Sequence, residues 1–355
     1  MADLPALPEG LTARPLQADD VAAVAALPEG LTARPLRAED VAAVAALLAA
    51  SEQLDDTGEY PDADDLAEWW TGWSADLAQD GVAVCDPAGV VVGYATTLAS
   101  PTFRDSYDVF LEGRVRPDHR GRGVGRALLG WQLERGRAVH AERHPEAPGR
   151  LKVGVAEAMT SLESMVRRAG LTAERWYRAM ERPLTDLPEA EDVPGLEFVP
   201  CTADRDDEVR RAHNASFTEH HGSSERDPAT WRSLFTGQRA FRPDLSVLAL
   251  EDGAVVGYAL SYIYEADTKA TGRRLLHLGQ IGVLPRARGR GVATAVIAAA
   301  LRAGAEDDCV ASALDVDSGN VTGALRLYEA LGFTTTRTSV SWELALPPVG
   351  AAAAR

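Results

Sequence analysis

The chain has 355 residues, a length that favours two domains over a single compact core. Its hydrophobic content of 46% and charged content of 25% are ordinary for a soluble globular protein. A formal net charge of -17 argues against nucleic acid or an anionic membrane as the main partner, because both repel an acidic surface; the charge is compatible with a cationic amine substrate, although solubility alone accounts for it.

The cysteines and the N-terminus predict a protein without disulfides, metal or membrane segments. Cys85, Cys201 and Cys309 are far apart and form no CxxC pair, which is typical of a protein of the reducing cytoplasm. A run of about 18 apolar residues is absent, and the N-terminus lacks the basic region of a signal peptide. We therefore expect a cytoplasmic protein that uses no metal and binds no membrane.

The chain begins with a short duplication. Residues 7–26 and 27–46 differ only at Gln17/Arg37 and Asp19/Glu39. Each copy predicts a short strand, a turn and a helix start, but Pro28 interrupts the helix of the first copy. We expect residues 27–46 to form the edge of the fold and residues 1–26 to be a weakly packed extra copy.

The first half continues with an acidic run, a hairpin and a glycine loop. The run from Glu52 to Asp65 predicts a solvated face and the N-cap of a helix that carries Trp69, Trp70 and Trp73; the spacing of Trp69 and Trp73 is typical of a helix face in the core. A turn at residues 86–89 precedes the apolar strand 91–95. After Val115 and Pro117, the loop Arg120–Gly125 leads into a long amphipathic stretch, and such a loop directs backbone N–H groups at a phosphate.

The second half repeats this order. Residues 255–259 repeat the strand 91–95, and Arg288–Ala293 repeats the glycine loop after Val283 and Pro285. Each half therefore predicts a strand, two helices, a hairpin, a strand, the loop, a helix, a strand, a helix and a strand. The repeat indicates two copies of one nucleotide-cofactor domain, at residues 27–184 and 195–346, joined by the acidic linker 185–194 and followed by a tail, 347–355.

This combination of motifs resembles tandem GNAT-family (GCN5-related) N-acetyltransferases. Besides the two loops, the resemblance rests on a downstream block formed by Asn320, Ala324, Leu327, Tyr328, Gly332 and Phe333. It implies an α+β fold of two tandem GNAT domains, each with a mixed, mostly antiparallel central sheet flanked by helices. It also implies a pair of splayed strands in each sheet, between which coenzyme A inserts.

The resemblance implies that acetyl-CoA is the co-substrate and that the loop amides bind its pyrophosphate. In the second half the implied cofactor-binding residues are Ile281, Val283, Arg288, Gly289, Arg290, Gly291, Val292, Ala293 and Asn320. In the first half they are Val115, Arg120, Gly121, Arg122, Gly123, Val124 and Gly125. A helix N-cap would by itself account for Asn320.

Tyr328 is the predicted general acid, since a neutral tyrosine can protonate the leaving thiolate, although helix packing also accounts for it. Aligning Gly170 with Gly332 puts Val166 at this place and Ala158 at the place of Asn320, so the first half lacks the acid. It is then a degenerate domain that either binds acetyl-CoA as a structural ligand or binds nothing.

His277, six residues ahead of Val283, holds the place where the resemblance implies a general base; in the first half the same count reaches Val109. A strand histidine is also commonly structural. Gln280 can orient water or substrate, and Asn214, Phe217 and His220 are the other predicted acceptor contacts. The adjacent His220 and His221 predict a polar loop, because no ligand spacing supports zinc.

These features together predict an acetyl-CoA-dependent N-acetyltransferase. Its acceptor would be a primary amine of a small molecule or peptide, attacking directly in a ternary complex, since no activated nucleophile is visible. The chemistry would lie in the C-terminal domain of a monomer or homodimer. The alternative is a non-catalytic acyl-CoA-binding sensor or scaffold.

Overall fold

The structure is a computed structural model, which describes residues 27–73, 76–188, 193–218, 224–319 and 323–349. The extra copy 1–26 and the predicted site residues His220 and Asn320 lie outside the described residues. No helix of the described ranges is long and apolar enough to cross a membrane.

The two halves share the predicted order of strands, and each also contains one short helix that the sequence did not predict. The strands of the first half are β1 (Thr32–Pro35), β2 (Gly81–Cys85), β3 (Val91–Ala99), β4 (Tyr107–Val115), β5 (Gly149–Ala156) and β6 (Thr172–Pro183). Its helices are α1 (Val41–Asp55), α2 (Ala63–Gly72), α3 (Leu77–Asp80), α4 (Val124–Arg143) and α5 (Thr160–Arg168).

Among the described residues, the second half also has five α-helices, but one of them lies at a different place in the order. Its strands are β7 (Glu197–Pro200), β8 (Phe241–Glu251), β9 (Ala254–Tyr262), β10 (Leu275–Val283), β11 (Ala311–Asp317) and β12 (Thr334–Leu346). Its helices are α6 (Asp206–Ser216), α7 (Pro228–Trp231), α8 (Glu265–Thr271), α9 (Val292–Glu306) and α10 (Ala324–Ala330). Neither α3, which precedes β2, nor α8, which lies between β9 and β10, is predicted from the sequence.

Helices cover both faces of the sheet, which explains why its central strands are apolar on both sides. In β2, Val82 and Val84 pack against α4, while Ala83 and Cys85 pack with α1 and α2 on the opposite face. Because neither face meets water, β2 is an apolar run rather than an alternation of apolar and polar residues. The α+β fold with flanking helices is confirmed.

The parallel strand pairs separate part-way along their length. In the first half, β4 pairs with β5 only from Tyr107 to Phe110. In the second half, β10 pairs with β11 only from Leu275 to His277, whose partner is Ala313. Beyond these residues each pair diverges, which confirms the predicted splayed strands.

The two halves exchange their last strands. Within the described ranges, all strands form one sheet in the order β1-β2-β3-β4-β5-β12-β6-β11-β10-β9-β8-β7. Strand β12 of the second half therefore lies between β5 and β6 of the first, and β6 lies between β12 and β11. Each half thus completes the sheet of the other.

A β-bulge distinguishes the two parallel openings. The ladder of β9 and β10 shifts register between Leu278 and Gln280, whereas the ladder of β3 and β4 does not shift. At Gly279, inside the bulge, an added Cβ would lie 2.6 Å from the ring of Tyr262, so glycine fits there. Because of this extra residue, counting six residues back from Val115 does not reach the equivalent of His277. Strand pairing shows that Phe110, not Val109, is the residue of the first half equivalent to His277.

Candidate active site

The two glycine loops have the same backbone conformation. The φ angles are 76° at Gly121, 95° at Gly123, 74° at Gly289 and 81° at Gly291. Any other residue would be strained at these angles. Helix α4 begins directly after Gly123, and α9 begins directly after Gly291. Among the described residues, no group accepts a hydrogen bond from the N–H groups of residues 121–123 or 289–291. Both loops therefore fit a phosphate at a helix N-terminus.

The first arginine of each loop anchors the loop to the rest of its half. Arg120 donates from both Nη atoms to the carboxylate of Asp55, at 2.7 and 2.8 Å, and Arg288 donates from Nη2 to the carbonyl of Ser216, at 3.0 Å. Asp55 ends α1 and Ser216 ends α6, so the two anchors are equivalent. The backbone N–H groups of Arg120 and Arg288 donate to the carbonyls of Pro117 and Pro285, at 3.2 and 3.3 Å, so a phosphate at either loop would be bound by the N–H groups that follow these arginines.

A cavity of about 1410 Å³ lies between the two halves. It includes the glycine loop of the first half and reaches the second half at the opening between β10 and β11. Its walls combine aromatic, acidic and basic side chains, among them Trp69, Glu112, Arg114, Tyr264, His277 and Asp315. The cavity can therefore admit an acceptor to a strand opening from the space between the halves.

The walls of this cavity carry charged side chains of both signs, eight Asp or Glu and seven Arg or Lys among the described residues. Enclosure by the surrounding protein raises the pKa of Glu59 to about 7, and the carboxylate of Asp315 adds to the effect. Burial likewise raises the pKa of Asp267 to about 6 and also raises that of Glu112. Two of the arginines on the walls lie near carboxylates: Arg114 is 3.4 Å from Asp55, and Arg273 is 2.7 Å from Glu181. The raised pKa values belong to Glu59, Glu112 and Asp267, and a cation bound beside these carboxylates would stabilise their charged forms.

The acidic run between α1 and α2 is more than the predicted solvated face. Asp62 and Asp65 form a capping box at the start of α2, in keeping with the predicted N-cap. Glu52, however, is buried and accepts hydrogen bonds from Thr57 and Gly58, and Glu59 lies on the cavity wall. Sequence reasoning missed Glu59 because a carboxylate facing a cavity and one facing bulk water look alike in a sequence.

Trp69 also differs from its predicted place in the core. Its side chain is 38% exposed, lines the cavity and donates from Nε1 to Glu112 at 3.3 Å. Trp73 packs edge-on against Phe110, with ring centroids 4.9 Å apart, and Trp70 is buried. The i,i+4 spacing thus correctly predicts that Trp69 and Trp73 share one face of α2, but Trp69 lies on the wall of the cavity rather than in the core.

His277 lies where the parallel strands open. Its Nε2 is 3.7 Å from Oδ2 of Asp315, and its ring meets Tyr264 edge-on, with centroids 5.8 Å apart. Burial lowers the pKa of His277, and the carboxylate of Asp315 partly offsets this. The imidazole is therefore neutral at neutral pH and able to accept a proton.

Tyr328 lies on α10, half-buried against the core of the second half. Its ring packs edge-on against Phe333, with centroids 6.1 Å apart, and burial raises its pKa to about 12. The phenol is therefore protonated at neutral pH, as a general acid requires. Val166, which the sequence aligns with it, is a fully buried core residue of the first half.

The predicted acceptor contacts lie in different surroundings. Gln280 follows the bulge in β10, near the strand opening. Asn214 holds the backbone of Arg226, with its amide donating to the carbonyl at 3.1 Å and accepting from the N–H at 2.9 Å. Phe217 stacks on His213, with ring centroids 4.5 Å apart. Asn214, Phe217, Gln280 and Tyr328 do not line the large cavity.

The described part of the chain contains no group of three or more His, Cys, Asp or Glu side chains that could hold a metal ion.

Comparison with known proteins identifies the family. Residues 45–147 and 207–333 match the model of the acetyltransferase (GNAT) family. The chain belongs to this family. Because the match occurs twice, it is a tandem GNAT protein, and like other members it is an N-acetyltransferase that uses acetyl-CoA.

The relatives and structural neighbours agree with this assignment. The mycothiol acetyltransferase of Frankia casuarinae is 31% identical over 74% of this chain and 75% of its own, and that of Frankia alni is 30% identical over 83% and 89%. A GCN5-related N-acetyltransferase from Sphaerobacter thermophilus has a TM-score of 0.71 and 26% identity, covering 91% of this chain and 98% of its own. A tandem GNAT protein from the clavulanic acid biosynthesis pathway, at 20% identity and a TM-score of 0.65, covers 90% of this chain and 99% of its own and shares the fold.

Proposed function

We propose that the second half transfers the acetyl group of acetyl-CoA to a primary amine by direct attack in a ternary complex. One observation carries this proposal. Within the described ranges, only the second half combines a bulged strand at the splayed opening, a histidine at that opening and a tyrosine on the following helix. The first half has Phe110 and Val166 at the corresponding places, so we propose that it is degenerate and either holds acetyl-CoA as a structural ligand or holds nothing.

The chemistry follows from these residues. The glycine loop, with Ile281, Val283 and Asn320, would hold acetyl-CoA, and the bulge would free a backbone N–H for the oxyanion that forms on the thioester carbonyl. His277 takes a proton from the bound ammonium, directly or through water, and the neutral amine nitrogen then attacks the carbonyl carbon; the second proton on this nitrogen passes to solvent as the amide forms. The C–S bond then breaks, and Tyr328 protonates the leaving thiolate. Gln280 would orient water or the acceptor.

The cavity supports an amine as the acceptor. Carboxylates such as Glu59, Glu112 and Asp267 attract a protonated amine to the strand opening. The cavity has room for either a small molecule or a peptide side chain. The Frankia relatives are named mycothiol acetyltransferase, so a thiol-sugar amine belongs among the candidates, beside polyamines, aminoglycosides and peptides.

A thiol-release assay with acetyl-CoA over this panel of amines tests the proposal. Tyr328→Phe should lower kcat by about 10²- to 10⁴-fold with the best amine, because the general acid is lost. Calorimetry should show unchanged acetyl-CoA binding. Tyr107→Phe, which removes the hydroxyl of a buried tyrosine in the first half, is the matched control and should keep wild-type kcat.

Two results would contradict the proposal. A Tyr328→Phe variant as active as the wild type would remove the tyrosine from the mechanism. Acetyl-CoA binding without thiol release for any amine would favour the non-catalytic sensor.

A further inference from the structure

We propose that Asp315 is a positioning residue for His277, and that the two side chains form a histidine–carboxylate pair across the opened strands β10 and β11. This inference rests on the proposed function, because it concerns the base of that reaction. Its evidence is geometric and comes from both halves of the chain.

The pair straddles the point where the parallel strands separate. His277 is the last residue of β10 that pairs with β11, and Asp315 lies two residues beyond its partner Ala313. The histidine side chain is 25% exposed and the aspartate 61%, and both line the cavity between the halves. Among the described residues, Asp315 provides the only carboxylate within 4.0 Å of the ring.

The contact selects which nitrogen of the ring can act as the base. Nε2 lies 3.7 Å from the carboxylate, which is longer than a hydrogen bond, so the charge of Asp315 favours the neutral tautomer that carries its proton on Nε2 and leaves the lone pair on Nδ1. The acceptor's proton would therefore pass to Nδ1, and the resulting imidazolium would be stabilised by Asp315. Such contacts are often long before substrate binds and shorten in the complex.

The first half lacks both members of the pair. Its last parallel pairing joins Phe110 to Lys152, and the residue two positions beyond Lys152 is Gly154. Phe110 and Gly154 thus occupy the places of His277 and Asp315. The pair and Tyr328 occur in the same half, which is expected if they serve the same reaction.

Other charged and titratable groups face the pair from neighbouring elements. They are Glu59, Glu112 and Arg114 of the first half and Tyr264, Asp267 and Arg273 of the second. Glu181 on β6 pairs with Arg273, and Arg337 on β12 lies 3.9 Å from Asp56. Because these groups surround the cavity, the test must separate the effect of Asp315 from a general change in charge.

An NMR titration of His277 in the full chain makes this separation. The signal of His277, one of seven histidines, is assigned by its loss in His277→Gln. In Asp315→Asn the pKa of His277 should fall by about half a pH unit, because the imidazolium loses its carboxylate. Asp317→Asn removes the same charge from the same strand, where Asp317 pairs with Arg175 at 2.5 Å, and should leave the titration of His277 unchanged.

Kinetics provide the second readout. With the best amine, Asp315→Asn should lower kcat by about 10- to 100-fold and move the acidic limb of the pH profile to lower pH. Asp315→Glu should restore part of the rate. If Asp315→Asn leaves the pKa of His277 in place, or if Asp317→Asn moves it equally, the pairing is wrong. The titration decides this even when no amine is acetylated, so failure of the proposed function would be recognised separately.

Discussion

At the scale of single residues, the glycines of the cofactor loop make the most direct link between backbone conformation and binding. Gly291 has a φ of 81° and directly precedes α9. A Cβ at this position strains the backbone by about 1 kcal/mol, and relief of the strain would turn the loop N–H groups away from the phosphate. We expect Gly291→Ala to raise KM for acetyl-CoA by at least about tenfold.

Gly253→Ala is the control for this substitution. Gly253 has a φ of 79° in the hairpin turn between β8 and β9, and an added Cβ meets nothing within 4 Å. Gly253→Ala should lower the free energy of unfolding by about as much as Gly291→Ala, about 1 kcal/mol, and leave KM for acetyl-CoA unchanged. Steady-state kinetics and urea unfolding measure the two effects. Equal KM values for Gly291→Ala and the wild type would exclude this loop from the cofactor site.

At the scale of elements, Asp62 connects a helix cap with a contact between the halves. Its carboxylate accepts from the N–H groups of Asp64 and Asp65 at the start of α2, and Arg239 of the second half lies 2.9 Å away. Both side chains of the ion pair are more than 40% exposed, so the pair should contribute less than about 1 kcal/mol. The cap should contribute about 1 kcal/mol.

Three variants separate these contributions. Asp62→Ala should lower the free energy of unfolding by about 1–2 kcal/mol, because it loses both the cap and the pair. Asp62→Asn keeps the cap and should lose less than about 1 kcal/mol, whereas Arg239→Ala also removes the contact with Asp65 at 2.8 Å and should lose at least as much as Asp62→Asn. Urea unfolding midpoints give the comparison. If Asp62→Asn destabilised as much as Asp62→Ala, the charge rather than the cap would dominate.

The elements also show what a sequence can predict. The hairpins, the glycine loops and the helix starts depend on residues within a few positions of each other, and these predictions were confirmed. The bulge at Gly279 depends on the partner strand, because it appears only as a register shift against β9. Counting residues from Val115 therefore reached Val109, whereas strand pairing puts Phe110 at the place of His277.

At the scale of the whole molecule, the exchanged strands make the halves depend on each other. Alternating residues identify β6 and β12 as strands but do not specify their neighbours, so the exchange could not be predicted. The lining of the cavity could not be predicted for the same reason, since Glu59 and His277 come from different halves.

Charged side chains hold the exchanged strand in place. Glu343 on β12 lies 3.4 Å from Lys152, which lies 3.2 Å from Asp108.

The exchange predicts that neither half folds alone. A fragment of residues 27–188 lacks β12, so β5 and β6 lose the strand between them and expose unpaired edges. Expressed separately, this fragment and residues 193–349 should aggregate or lack a cooperative thermal transition. Expressed together, they should form a one-to-one complex on size-exclusion chromatography with the circular dichroism spectrum of the intact chain. Cooperative unfolding of residues 27–188 alone would show that the first half does not need the exchanged strand.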